Sequence, residues 1–365
     1  MTRRLSTFRP VAQGSSNRRR GGFSLIELLI VITVIAILVS LLLVGVQGAM
    51  GRVRVTAVVA ELKNFEKAVK DFKSDFGVEP PSFIKLHEAG TGWAATDADT
   101  RASRAFLRQL WKDFDFTTMG DSGSLAVSAV NPVANNGALD LNGDGDETDT
   151  LYLSGAECLV FFLGGMADKS SGTVVMKGFS KISSAPFSTV TGAGGSRSGP
   201  YYEFDSKHLV VVDDDKMYGY LDSIPGQQRV IQYFSSYDGT GYRPLGRNGV
   251  YDGTSGSDDE VLPNTLRWVY TKSAGTSSPL KAAEPFNPNG FQLISAGLNS
   301  EYCGTLASGT TYEGGGFMDS ENGVQTGQTV VSMLPSPAGT IINRDAQSAV
   351  LERDNITNFQ GGEIH

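Results

Sequence analysis

The sequence predicts an α+β protein in which a long N-terminal membrane-spanning helix packs on an antiparallel β-sheet head. Three observations carry this. An apolar run from Phe23 to Val46 is broken by one carboxylate, Glu27; an apolar stripe then recurs at steps of three and four as far as Phe76; and the remainder is short β-rich segments between turn residues.

Residues 1–22 form a basic leader. They hold Arg3, Arg4, Arg9, Arg18, Arg19 and Arg20 and no Asp or Glu, a bias that keeps this end in the cytoplasm and sends the rest of the chain outward. Residues 23–46 are long enough to cross the membrane, since about 20 helical residues span the hydrocarbon. A cleaved secretory signal has an apolar core of only roughly 7 to 15 residues and is cut behind it, whereas here the small-residue break, Gly21-Gly22, lies in front.

Glu27 is the informative residue. A carboxylate within such a segment costs on the order of 3 kcal/mol and calls for a partner. Cleavage between Gly22 and Phe23 would create an α-amino group four residues before Glu27, and the Glu27 of one subunit could then pair with the amine of its neighbour. Alternatively, Glu27 lies at the headgroup level of a plain signal anchor and needs no partner.

The segment Gly22-Phe23-Ser24-Leu25-Ile26-Glu27-Leu28-Leu29 resembles the processing motif of the type IV pilin and type II secretion pseudopilin family: Gly, a methylated aromatic residue, and Glu at the fifth mature position. The resemblance implies cutting by a prepilin peptidase, N-methylation of Phe23 by a methylase, and assembly through bundled apolar helices into a filament with copies of itself and other pilins or pseudopilins. It also implies an inner-membrane secretion platform as partner. The location is then the inner (cytoplasmic) membrane, single-pass, with an extracytoplasmic head that later joins a periplasmic or surface filament.

Residues 47–76 continue the helix as an amphipathic segment. Val55, Val58, Leu62, Phe65, Val69, Phe72 and Phe76 make one stripe, Glu66 and Lys70 are spaced to pair on the wet side, and Gly77 before Pro80-Pro81 stops the helix. A helix continuous from Phe23 to Phe76 spans about 80 Å. Gly45, Gly48 and Gly51 weaken it by about 1 kcal/mol each relative to Ala, so a bend or melted stretch is expected there. Many pilins have a Pro in this region, where this chain has Val44-Gly45.

Residues 77–365 form the head. Its 44 chain-wide glycines point to many turns, and the formal charge of −8 becomes −14 once the six leader arginines are removed, which argues against nucleic acid as a partner. Strands are expected at Thr173–Met176, His208–Val212, Arg229–Phe234, Thr265–Thr271, Phe291–Ser295 and Thr329–Met333. Helices are expected at Ala102–Phe114 and at Ser154–Leu163, the latter opening on a capping-box pattern, Ser154-Gly155-Ala156-Glu157. The stretches Leu221-Asp222-Ser223, Ile231 to Phe234, Phe291 to Ser300 and Asp354 to Phe359 are similar in part to the major secretion pseudopilins. Asn299-Ser300 departs from their Asp-Gly, the Trp expected after Asp222 is missing, and residues 235–290 are an insertion. A head this large favours a minor or specialised subunit.

Calcium is a second expectation. Asp140, Asn142, Asp144 and Asp146 alternate oxygen side chains around Gly145, as in the first half of a calcium loop, and Asp149, Thr148 or Glu157 would complete it, because Leu151 stands at the twelfth position. The turn could equally hold no metal. In the major pseudopilins calcium sits in the later loop, where Asn299 and Glu301 are weak substitutes. Cys158 and Cys303 would face an oxidising exterior and could form a disulfide, with a buried free thiol at Cys158 as the alternative.

No enzyme is expected. Gly120-Asp121-Ser122-Gly123 looks like a serine-protease nucleophile segment, but His87, His208 and His365 lack the matching context, and Gly192-Ala193-Gly194-Gly195 lacks the strand and helix of a phosphate loop. The reading is a pilin-like filament subunit supporting protein secretion. Its rivals are a signal-anchored surface protein whose calcium-assisted head binds a glycan or protein and, more distantly, a membrane-tethered hydrolase.

Overall fold

The computed structural model describes residues 24–117, 139–170, 172–188, 196–212, 215–242, 266–271, 276–277, 280–281, 285–302, 314–319, 323–324, 354–360 and 362–363. The chain divides into two compact units, Met1–Met50 and Gly51–His365.

The first unit is the apolar part of α1, a 52-residue helix over Leu25–Phe76. Leu25–Leu43 is long and apolar enough to cross a membrane, with a mean hydropathy of 3.0 and none of it buried by its own chain. Its polar side chains are absorbed locally: Thr33 and Ser40 donate to the carbonyls of Ile30 and Ile37, each at 2.8 Å. The backbone stays helical through Gly45, Gly48 and Gly51, so the expected melting does not occur. Three glycines cost about 1 kcal/mol each, and the helical stretches on either side carry the hydrogen-bond ladder across them.

In the second unit the outer part of α1 buries the anticipated stripe. Val58, Leu62, Phe65, Val69 and Phe72 are at most 1% exposed, and Val55 and Phe76 pack at its edge. The cover is largely aromatic. Phe65 stacks on Tyr202 with ring centroids 4.0 Å apart, Phe72 meets Tyr201 and Phe162 edge-on at 5.4 and 6.0 Å, and Phe76 meets Trp111 at 5.6 Å. Glu66 does not pair with Lys70; it accepts from Asn358 Nδ2 at 3.3 Å, while Lys67 and Asp71 form the one-turn ion pair at 2.6 Å. Glu66 sits at the edge of the stripe, within reach of the head, which explains the exchange.

The helix ends as its residues dictate. Gly77 takes φ +78° and its N–H bonds to Lys73 O at 2.8 Å. Beyond it the chain is fastened back, with Lys73 Nζ 3.1 Å from Glu79 Oε1 and 2.6 Å from Asp238 Oδ1, and with Tyr233 OH donating to Pro80 O at 2.8 Å.

Helix α2 spans Ala98–Leu110, four residues earlier than expected. Asp97 caps it, accepting from Thr100 N at 2.9 Å, and it stops at Trp111, which turns extended so that its ring can meet Phe179 and Phe187 at 5.0 and 5.5 Å. Helix α3, Gly155–Gly164, falls where expected: Ser154 N donates to Glu157 Oε2 at 2.8 Å, and every residue from Ala156 to Gly164 is buried. Gly155 is required by close approach, because a Cβ there would lie 1.9 Å from Tyr233 O. Gly155→Ala should cost about 1–3 kcal/mol, read as a lowered denaturant midpoint of the head.

The β structure is fragmented. One four-stranded antiparallel sheet runs in the order Gly362–Glu363, Ile356–Thr357, Phe291–Ser295, Gln232–Ser235, with Leu293 opposite Tyr233. Leu209–Val211, Leu266–Thr271 and Phe291–Ser295 realise three of the expected strands. Arg229–Phe234 is shifted to Gln232–Ser235, Thr173–Met176 is shortened to Val175–Met176, and Thr329–Met333 lies outside the described residues. Leu266–Thr271 pairs in parallel with Gly314–Asp319, so the head is not wholly antiparallel. Ile84–His87 pairs with Thr150–Leu153, a connection that four-residue segments do not announce in sequence.

Candidate functional site: the head of α1 and the acidic loop

Gly22 and Phe23 lie outside the described residues, which begin at Ser24. Glu27 stands in the first turn of α1, exposed, and its Oε2 accepts from Ser24 N at 3.3 Å while Leu28 N bonds to Ser24 O at 3.1 Å. Ser24 is therefore the residue at which the helix starts, and Glu27, three positions on, reaches back to its amide. The Ser-x-x-Glu signal for this cap is present in the sequence and went unused, because Glu27 was read only for its charge. A carboxylate at a helix N-terminus also faces the positive end of the macrodipole. Along one side and the other of the same rod, Leu25, Ile26, Leu38, Leu41 and Leu42 are each more than 60% exposed. The described residues of this unit thus present apolar surface all round with one charge at their tip.

The five calcium candidates do share a loop, but their oxygens are directed inward. Asp140 accepts from the amides of Gly143, Asp144 and Gly145 at 2.5 to 3.1 Å, Asn142 Oδ1 accepts from Asp144 N at 3.0 Å, and Asp146 from Thr148 N at 2.9 Å. Asp149 Oδ2 accepts from Asn142 Nδ2 at 3.3 Å. Two ammonium groups serve the loop. Lys216 Nζ is 2.8 Å from Asp144 Oδ2, and Lys169 Nζ donates to the carbonyls of Asn142 and Gly143 at 2.8 and 3.2 Å. Lys216 holds the Asp144 carboxyl below the usual range. Among the described residues no three His, Cys, Asp or Glu side chains are placed to hold a metal ion.

The loop is anchored by Glu88, which the sequence reading passed over. Fully buried, it accepts Leu141 N at 2.7 Å and Asn142 N at 3.4 Å on Oε1, and Asp149 N at 3.2 Å on Oε2. Burial raises its carboxyl from 4.5 to about 7 in spite of these amides. The folded head therefore holds this proton more tightly than the unfolded chain does. The Glu88 contribution to stability is full below pH 4.5 and is lost as pH rises through about 7. His87 acts in the opposite sense, because burial and Lys85 depress its pKa below 6.5, and its contribution declines on acidification. Glu88→Gln retains an acceptor and removes the titration. Relative to the unaltered protein, its thermal midpoint should gain as pH is raised from about 5 to about 7.5.

The histidines have structural partners. His87 lies 3.0 Å from the hydroxyls of Thr100 and Thr150 and against Trp93, and His208 Nδ1 is 3.1 Å from Leu221 O. The segments Gly120–Gly123 and Gly192–Gly195, and His365, lie outside the described residues. Among the described residues Cys158 is a buried thiol that donates to Leu153 O, and burial raises its pKa. Cys303 lies outside the described residues.

The stretches with partial pseudopilin likeness meet in space. Buried Asp222 accepts from Gln227 Nε2 and Ile224 N at 2.8 and 2.9 Å and from Ser295 Oγ, joining the Leu221–Ser223 turn to the Phe291–Ser295 strand. Burial raises its carboxyl. Ser223 N donates to Glu61 Oε2 of α1 at 3.0 Å, and Asn299 N to Asp354 Oδ2 at 2.8 Å. Asn299 Oδ1 itself accepts from Glu301 N at 2.7 Å.

Comparison with known proteins agrees with this picture at one end of the chain. Residues 17–43 match the family model for the prokaryotic N-terminal methylation motif. No curated protein and no solved structure matches the chain.

Proposed function

We propose that this chain is a structural subunit of a type II secretion pseudopilus or a type IV pilus-like filament. Prepilin peptidase cuts it between Gly22 and Phe23, the new terminus at Phe23 is N-methylated, and the subunit assembles through its apolar helix in support of protein secretion. One observation carries the reading: a methylation motif at residues 17–43 runs directly into a helix whose apolar side chains find no cover in their own unit. A single helix in lipid needs no such motif, and an all-round apolar rod suits a bundle of like rods.

Glu27 takes the registering role in this scheme. Its position one turn inside the mature terminus puts the carboxylate within reach of a neighbouring ammonium, and pairing there offsets the cost of withdrawing both charges from water. The large head sits outside the cytoplasm, as the arginine-rich leader requires. Mass spectrometry of the mature protein should find an N-terminus at methylated Phe23. A chain that keeps Met1 or Thr2 and works as a lone anchored molecule would overturn the proposal in favour of a signal-anchored surface protein.

A further inference from the structure

The head is acidic, yet one helix face is not. Arg101, Arg104 and Arg108 follow one another at steps of three and four on α2, beside the face that buries Thr100, Ser103, Leu107 and Leu110. Arg101 and Arg108 are exposed and Arg104 half-buried. Two of the guanidinium groups are fixed in place. Those of Arg104 and Arg108 lie 5.3 and 5.2 Å from the centre of one ring, that of buried Phe116, and Arg104 Nη1 also donates to Trp93 O at 2.9 Å. Among the described residues none of the three arginines is in an ion pair. A cationic row held rigid on an aromatic platform has already lost much of the side-chain entropy that weakens ordinary surface pairs.

The same unit offers a complementary segment. The loop Asp140–Asp149 carries Asp140, Asp144, Asp146, Glu147 and Asp149, against only Lys169 and Lys216, and its backbone is held by Glu88. Its carboxylates are largely engaged within the loop or by these lysines, so what it offers a row of arginines is net negative charge on a fixed backbone. We propose that the Arg101–Arg104–Arg108 face of α2 docks the acidic loop of a second copy of this chain. The two surfaces are different parts of one molecule, so each copy that binds one neighbour still offers its free end to the next. Where the pairing is not reciprocal and its rotation does not close a ring, such a heterologous contact propagates as an open helix, the symmetry a filament requires. The inference rests on the filament reading above and adds a head-to-head contact to the bundled helices.

The test uses the full-length mature protein in its membrane. A photo-crosslinking amino acid at Ala105, exposed beside the arginines, should join the 140–149 loop of another copy, identified by mass spectrometry. Arg101→Glu, which leaves the Phe116 contacts of Arg104 and Arg108 in place, should lower that product about tenfold, because like charges then face each other, without shifting the thermal midpoint of the head. Adding Glu147→Lys to Arg101→Glu in every copy should restore it. Crosslinks that map elsewhere, or that ignore the charge reversals, overturn the proposal, as does a face that instead captures vesicles of anionic lipid. If Phe23 is methylated and filaments form while the Ala105 crosslink to the loop is missing, this contact alone fails. An unprocessed chain would fail the filament reading itself.

Discussion

Replacing Glu27 with alanine should leave the protein in the membrane and lower its incorporation into filaments by about tenfold or more. The substitution removes a carboxylate that costs on the order of 3 kcal/mol within an apolar segment, so insertion has nothing to lose. Locally it forfeits one weak cap, the 3.3 Å bond from Ser24 N, and frays a turn of a 52-residue helix. Between subunits it leaves a neighbour's terminal ammonium without a counter-charge in hydrocarbon, and the penalty for an orphaned charge is much larger than that for a lost cap. Glu27→Gln separates the two effects, since an amide oxygen still accepts from Ser24 but carries no charge. It should assemble as poorly as the alanine variant. Membrane fractionation together with the filament yield after shearing would measure both, and normal filament yield from either variant would remove Glu27 from the registering role.

Phe72→Ala should destabilise the head by about 3–5 kcal/mol, a large share of the roughly 5–15 kcal/mol that holds a typical domain together. The ring is fully buried and lies between Phe76, Phe162 and Tyr201, with centroids 4.5, 6.0 and 5.4 Å away, so its loss opens a cavity that three rigid neighbours cannot close. Ile35→Ala is the matched control. It removes apolar bulk from the same helix, but Ile35 is 51% exposed and touches no core, so the melting of the head should not change. Denaturant melts followed by tryptophan fluorescence suit the comparison, because Trp111 packs on Phe76 at the end of the same cluster. Equal midpoints for the two variants would mean that the outer half of α1 is not part of the core of the head.

The residues that speak plainly in the sequence are those whose signals are local and repeated. Twenty-two residues of three-and-four spacing place the Val55-to-Phe76 stripe, and Ser154 with Glu157 marks the start of α3. The start of α2 was missed because Asp97 acts through one side-chain bond to Thr100, a signal no stronger than many turns in a Gly-, Ser- and Asp-rich chain. The strands of two to four residues are too short for alternation to be read, and their pairing partners lie up to about seventy residues away, as Ile84 and Leu153 do. In the site, the charge of Glu27 was legible and its capping role was overlooked. The acidic loop was legible as a cluster, but its lysines come from residues 169 and 216 and its anchor from residue 88, and only folding brings those together.

The fastening where α1 leaves for the rest of the head bears on mechanics. Lys73 is tied to Glu79 and Asp238, Tyr233 to Pro80, and the aromatic faces of Phe65, Phe72 and Phe76 lie along the rod between them. A pull transmitted up the rod therefore loads these links side by side, in shear, so that they must yield together.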